Sequence, residues 1–154
     1  MIIREITPNE YPILETFLYE AIHIPPGKSP VPWEMIYLPE IFVYIKDFGK
    51  KDDMCLVAEH DSVIVGAAWT RIIPAYGHID DQTPELAISI LPEYRGQGVG
   101  AELLSRLFDV LKERGYKQTS LSVQKTNPAF RLYQRIGYVI VDENEEDYIM
   151  VKKL

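Results

Sequence analysis

Three glycines stand at alternate positions in the segment Arg95-Gly-Gln-Gly-Val-Gly100. This segment joins an apolar run at residues 86–91 to a sequence with the spacing of an amphipathic helix, so we predict a strand–loop–helix connection. Glycine lets a ligand come close to the backbone, and the start of a helix offers unpaired N–H groups and a positive dipole end. The chemistry that this pattern predicts is the binding of a phosphate group.

Two common phosphate-binding motifs do not fit this loop. A P-loop requires Gly-Lys-Ser/Thr at the helix start, but Gly100 is followed by Ala101-Glu102. A dinucleotide-binding fold places its glycines after the first strand and an acidic residue about 20 positions later. Here the loop follows a predicted antiparallel hairpin, and Lys117-Gln118 stand where the acid is expected. The dinucleotide interpretation is therefore disfavoured.

A second motif follows about thirty residues later, in Asn127-Pro-Ala-Phe-Arg-Leu-Tyr-Gln-Arg-Ile-Gly-Tyr138. It resembles the Asn…Ala-x-x-Leu-Tyr-x-x-x-Gly-Phe/Tyr segment of the GNAT superfamily of N-acetyltransferases. The glycine loop matches that family's Arg/Gln-x-x-Gly-x-Gly/Ala signature, and Pro92-Glu93-Tyr94 ahead of it is also typical. Together with the order of predicted elements, the resemblance covers nearly the whole chain.

The resemblance implies a binding site for acetyl-CoA. The pantetheine arm is expected along the strand before the loop, on main-chain groups near Ile88, Ile90 and Leu91. Asn127 either contacts the pantetheine or only caps its helix, because in the commoner family pattern the asparagine lies one residue further from the tyrosine. The residues expected to hold the pyrophosphate are Arg95, Gly96, Gln97, Gly98, Val99, Gly100 and Ala101.

Tyr133 occupies the family's tyrosine position and is the candidate general acid. A tyrosine with a pKa near 10 stays protonated at neutral pH and can donate to a departing thiolate, whose thiol has a pKa of about 8.5. The alternative is a buried helix tyrosine with a satisfied hydroxyl. An amine nucleophile also needs a base, and Glu85 is the first candidate and His78 the second. Either could instead be an ordinary turn or surface residue.

The elements that must position these groups follow from periodicity and capping signals. We predict the order β-α-α-β-β-β-α-β-α-β-β, a mixed α/β fold in one domain over residues 1–154. The resemblance implies a GNAT-type, mostly antiparallel sheet of about seven strands with about four helices. Strands are predicted at residues 1–6, 55–59, 63–73, 86–91, 119–123, 138–142 and 148–152. Helices are predicted at residues 8–22 and 41–48, from the glycine loop to Gly115, and at 128–136.

Composition narrows the class of protein further. A chain of 154 residues with a net charge of −7 lacks the basic footprint of a nucleic-acid-binding protein. No apolar run is long enough for a membrane span, and no signal pattern opens the chain, so we expect a cytoplasmic protein. The single cysteine, Cys55, and three scattered histidines predict no metal site.

The predicted activity is transfer of an acetyl group from acetyl-CoA to a primary amine, by direct attack in a ternary complex. A small-molecule amine is favoured as acceptor. The alternatives are a peptide or protein N-terminal or lysine acetyltransferase, and an acyl-CoA-binding module without turnover. A homodimer is expected only by analogy with the family. The acceptor pocket is expected among residues 23–39, 74–84 and the last hairpin, with four candidate aromatic side chains: Trp33, Tyr37, Trp69 and Tyr76.

Overall fold

The computed structural model describes residues 1–154, and seven strands form one sheet in the order β1-β2-β3-β4-β5-β7-β6. All neighbouring strands are antiparallel except β4 and β5. The mixed, mostly antiparallel seven-stranded sheet of the sequence prediction is confirmed. The strands are β1 Ile2–Glu5, β2 Met54–His60, β3 Val63–Arg71, β4 Glu85–Ile90, β5 Gln118–Gln124, β6 Val139–Glu143 and β7 Asp147–Lys153.

Four α-helices flank the sheet: α1 Leu14–Ala21, α2 Pro39–Phe42, α3 Val99–Glu113 and α4 Ala129–Arg135. The first predicted helix is divided, because residues Pro8–Ile13 form a 3-10 helix that contains Pro12. Proline has no N–H group and so cannot donate an α-helical hydrogen bond. Two further 3-10 helices are Trp33–Tyr37 and Pro92–Tyr94.

The second helix is shorter than the prediction of residues 41–48, which was wrong at its C-terminal end. Side chains of β3 take up the carbonyl groups that a longer helix would use. Trp69 Nε1 donates to the Tyr44 carbonyl at 2.9 Å, and an Arg71 guanidinium nitrogen donates to the Val43 carbonyl at 2.8 Å. Asp47 then takes a left-handed conformation with φ of 54°, which ends any helical path.

The two cores lie on opposite faces of the sheet. On one face, α3 buries its leucines at positions 103, 104, 107 and 111 against β2 and β3. On the other face, Leu14 and Phe17 of α1 pack with Trp69. Burial of a leucine side chain contributes about 1.5–3 kcal/mol, so these cores hold the sheet rigidly between the helix layers.

The strands β4 and β5 run parallel and pair at a single position, Glu85 with Ser120. Each strand is paired along its whole length on its other side, β4 with β3 and β5 with β7. The sheet is therefore split beyond Glu85, and a V-shaped gap opens towards the glycine loop.

None of the helices combines the length and the apolar character needed to cross a membrane.

Candidate active site

A cleft of about 1160 Å³ lies where β4 and β5 diverge. Its walls come from both strands, from α1 and the segment after it, and from the start of α4. Of the residues predicted for the site, five line this cleft: Ile88, Ile90, Arg95, Asn127 and Tyr133.

The glycine loop lies beyond the open end of the strand gap and leads into α3. The amides of residues 96–101 make no hydrogen bond to other groups of the chain, whereas the next amide, that of Glu102, donates to the Gly98 carbonyl at 3.1 Å. Gly96 and Gly98 have φ of 74° and 84°, a conformation that other residues adopt only with strain. A run of successive free N–H groups at a helix start is a site for an anionic group such as a pyrophosphate.

Arg95 reaches from the loop back to the cleft. Its Nε donates to the Ile90 carbonyl at 2.8 Å, and its guanidinium pairs with Glu20 of α1 at 3.1 Å. About half of the side chain is exposed to solvent. The remaining N–H donors of the guanidinium are free, and contact between Arg95 and a pyrophosphate stays a prediction.

The exposed edge of β4 presents alternate main-chain groups to the gap. Since the Leu91 N–H donates to the Val65 carbonyl at 2.8 Å, the alternation of a strand turns the main-chain groups of Ile88 and Ile90 the opposite way, towards β5. The Leu91 carbonyl accepts from the Tyr94 N–H at 2.9 Å. Ile88 and Ile90 thus turn main-chain groups towards the gap, although the Ile90 carbonyl already accepts from Arg95 Nε, and neither main-chain group of Leu91 is free for a ligand.

Tyr133 projects from α4 into the cleft, and its hydroxyl forms no hydrogen bond within the chain. Its ring packs edge-on against Tyr138, with 5.9 Å between the ring centroids. Burial raises the pKa of Tyr133 to about 12, so the phenol keeps its proton at neutral pH. It can therefore serve as a proton donor.

Asn127 caps α4 and also lines the cleft. Its side-chain oxygen accepts the Ala129 N–H at 2.9 Å, which is the capping interaction predicted from the sequence. The side-chain amide NH₂ group is not used in this cap and remains free to donate to a ligand. The two predicted roles of Asn127 are thus compatible in this geometry.

Glu85 is buried at the apex of the gap, with only 2% of the residue exposed. One carboxylate oxygen, Oε2, accepts the Gly77 N–H at 2.9 Å and the hydroxyl of Tyr44, while Oε1 has no partner. Burial raises the pKa of Glu85 to about 7. A carboxyl group that titrates near neutral pH suits a general base.

His78, the other predicted base, and Glu85 both lie outside the residues that line the cleft. The His78 side chain is 30% exposed, and its Nε2 lies 3.4 Å from a carboxylate oxygen of the exposed Asp81. Glu85 is favoured because it is buried where β4 and β5 pair and accepts a hydrogen bond from Tyr44, which does line the cleft.

Tyr44 and Gly77 are site residues that the sequence analysis missed. Tyr44 is 41 positions away from Glu85, and no local pattern links the two. Gly77 is required by close packing, because a Cβ atom there would lie 2.9 Å from the Glu85 carboxyl carbon and 2.8 Å from the backbone of β5. Among the predicted acceptor aromatics, Tyr76 lines the cleft, whereas Trp69 is fully buried in the core.

Glu85 and Tyr133, the two candidates for proton transfer, lie on opposite faces of the sheet. The Ser89 side chain donates to the Phe17 carbonyl of α1, and Glu85 shares this face because residues four apart in a strand point the same way. Tyr133 packs with the core on the α3 face. The gap between β4 and β5 joins the two faces, so one ligand in the gap could meet both groups.

No three histidine, cysteine, aspartate or glutamate side chains come together as a possible metal site.

Comparison with protein-family profiles and with solved structures identifies the family and the fold of this chain. The profile of the acetyltransferase (GNAT) family matches residues 17–138, which include most of the cleft lining, the glycine loop and α4. The chain belongs to this family. As a GNAT protein, it shares its fold with PaiA N-acetyltransferase of Thermoplasma acidophilum, solved in complex with coenzyme A, at a TM-score of 0.70 and 23% identity over 99% of this chain and 98% of that one.

Two curated relatives are similar to parts of this GNAT chain. A [ribosomal protein bS18]-alanine N-acetyltransferase of Haemophilus influenzae is 40% identical over 68 residues, which are 44% of this chain and 47% of the relative. A spermidine N(1)-acetyltransferase of Thermoplasma acidophilum is 28% identical over 71% of this chain and 65% of the relative. The chain thus spans about half of the first relative and less than two thirds of the second.

Proposed function

We propose that this protein is an acetyl-CoA-dependent N-acetyltransferase that acts on a primary amine, by direct attack in a ternary complex. The observation that carries this proposal is the split between β4 and β5, which opens a cleft lined by Tyr133, with the buried Glu85 behind its lining where the two strands pair. Membership of the GNAT family supports the same reaction class.

The chain offers a matched set of groups for acetyl-CoA. The free amides of residues 96–101 suit its pyrophosphate, and the main-chain groups of Ile88 and the N–H of Ile90 on the open edge of β4 suit the pantetheine amides. The apolar side chains of the cleft suit its methylene groups. The NH₂ group of Asn127 adds a donor at the start of α4.

When bound, acetyl-CoA supplies an activated thioester as acetyl donor. Glu85 accepts a proton from the acceptor nitrogen, which frees the lone pair for attack. Tyr133 donates its proton to sulfur as the carbon–sulfur bond breaks, so CoA leaves as the thiol and the negative charge passes to the Tyr133 oxygen, which regains a proton from solvent. Because the two residues lie on opposite faces, the amine is expected to approach from the α1 face.

The acceptor side of the cleft is acidic. Glu146 and Asp147 line it. Burial, and then the negative charges of Glu40 and Asp147, raise the pKa of the Tyr76 hydroxyl. Such a surface attracts a cation, so we infer a small, positively charged amine such as a polyamine as acceptor. The names of the relatives include both a spermidine and a ribosomal-protein acetyltransferase.

The test is release of free thiol from acetyl-CoA across a panel of polyamines, aminoglycosides, amino acids and short peptides. The proposal expects turnover with one class of amine, and with cationic small molecules before peptides. Turnover on peptides alone would replace the small-molecule acceptor by a protein. Binding of acetyl-CoA without turnover on any amine would favour a binding module.

Substitution of Gly98 by alanine is expected to weaken coenzyme A binding about tenfold. At φ of 84° the added Cβ meets no other atom but disfavours the backbone conformation by about 1–2 kcal/mol, and a shift in φ would misalign the free amides. The affinity is measured by calorimetric titration of coenzyme A.

The matched control for this prediction is Gly115→Ala at the end of α3. Gly115 has φ of 90° and equally open surroundings, but lies away from the cleft. It should lower the thermal stability similarly and leave the affinity unchanged. Equal loss of affinity in both variants would show that strain in α3, and not the loop amides, is responsible.

A further inference from the structure

The two carboxylate oxygens of Glu85 have very different surroundings. Oε2 accepts two hydrogen bonds, from the Gly77 N–H and the Tyr44 hydroxyl, and Oε1 is buried without any. A buried polar oxygen without a partner is costly, so its presence calls for an explanation. The asymmetry separates an anchored oxygen from one that is free to accept a proton.

The backbone of Tyr44 is itself fixed by the core. Its carbonyl accepts from Nε1 of Trp69, a residue with no exposed surface, at 2.9 Å. The neighbouring carbonyl of Val43 accepts from Arg71, whose guanidinium also pairs with Asp53 at 3.0 Å. The same interactions that end α2 thus bring the Tyr44 hydroxyl against Glu85.

Gly77 is held from the other side of the gap. Its carbonyl accepts the Ser120 hydroxyl at 2.7 Å, and Ser120 is the single residue of β5 that pairs with Glu85. Both donors to Oε2 are therefore tied to rigid elements, Tyr44 to β3 and Gly77 to β5.

We propose that Tyr44 is a positioning residue that fixes Glu85 Oε2, so that Oε1 is the atom that takes the proton of the acceptor amine. This inference rests on the proposed function. In the step, an N–H bond of the acceptor breaks and an O–H bond forms at Oε1, with no change of oxidation state. Tyr44 touches neither bond and acts through the carboxylate.

The direction of the electrostatic effect follows from the groups around Glu85. Burial raises the pKa of this carboxyl, while the hydrogen bonds from Tyr44 and Gly77 and the charge of His78 lower it. From β3, Arg71 stands opposite Glu85, but its guanidinium is paired with Asp53. On β5, the residue that pairs with Glu85 is the uncharged Ser120. Tyr76 lies near Tyr44. Tyr44 is thus one of the few groups that favour the ionised form.

The test is a ¹³C NMR titration of the Glu85 carboxyl in the full-length protein, with the signal assigned by its loss in Glu85→Gln. Tyr44→Phe keeps the ring and removes the donor, so the midpoint should rise by about one pH unit. The acidic limb of kcat/KM should move the same way, with little loss on its plateau. Tyr116→Phe, which removes another hydroxyl–carboxylate contact far from the cleft, should leave both unchanged.

A measurement on wild-type protein covers the case in which Tyr44→Phe does not fold. The ¹³Cζ shift of Tyr44 should follow the ionisation of Glu85 with the same midpoint and stay constant in Glu85→Gln. An unchanged Glu85 midpoint in Tyr44→Phe, or a Tyr44 signal that ignores Glu85, would overturn the positioning role. A wild-type protein that acetylates no amine would instead overturn the proposed function, before any variant is compared.

Discussion

Replacement of Tyr133 by phenylalanine is expected to lower kcat about 10²- to 10⁴-fold, the contribution of a positioned general acid. The affinity for acetyl-CoA should change little, because the ring still packs against Tyr138 and only the unpaired hydroxyl is lost. The measurement is kcat from thiol release, together with the Kd of acetyl-CoA by calorimetric titration. Burial raises the pKa of Tyr133 to about 12, so the phenol keeps its proton up to about pH 10. The wild-type kcat should therefore not fall below that pH through ionisation of Tyr133.

Tyr138→Phe is the matched control for Tyr133. It removes a buried hydroxyl without a partner from the other ring of the edge-on pair, outside the cleft lining. Its kcat should stay within about threefold of wild type, the range of a minor packing change. If Tyr133→Phe kept full activity, the proton on sulfur would have to come from another donor, such as water.

Replacement of Glu85 by glutamine is expected to lower kcat/KM at pH 8 by about 10²- to 10⁴-fold and to abolish its acidic limb. The base acts in its ionised form, so wild-type kcat/KM should rise with pH through about 7, the value to which burial raises the pKa of Glu85. The measurement is kcat/KM between pH 5 and 9. In His78→Gln the limb should persist, and its disappearance there would transfer the role of base to His78.

The same carboxyl gives a prediction for stability that does not depend on turnover. Burial raises the pKa of Glu85 from 4.5 in the unfolded chain to about 7 in the folded one, so the folded state holds this proton more tightly. The stabilisation is complete below about pH 4.5 and is lost as the pH rises through 7, at a cost of about 3 kcal/mol. The fall in Tm between pH 5 and 8.5 should therefore be smaller in Glu85→Gln than in wild type. An equal fall would mean that Glu85 titrates normally.

Local patterns in the sequence predicted most of the helices and strands, together with the loop and the helix cap that lie beside the cleft. The glycine loop, the amphipathic α3 and the Asn127 cap depend on residues within one or two turns of each other, and all are found in the structure.

The rest of the site depends on contacts between distant segments. Nothing near Glu85 in the sequence shows that its carboxylate meets Tyr44, or that β4 and β5 separate after one pair. The early end of α2 has the same origin, since Trp69 and Arg71 of β3 take its carbonyl groups. A free and an occupied main-chain group look alike in sequence, as Ile88 and Leu91 show.

The central claim is that Glu85 and Tyr133 move the two protons of one acetyl transfer across the split sheet. The most direct test measures free thiol and acetylated amine in the same reaction, by absorbance and by mass spectrometry, from pH 5 to 9. We expect one acetylated amine per released thiol, with a rate that rises through about pH 7 as Glu85 ionises. Thiol release without acetylated amine, or a rate independent of pH in this range, would contradict it.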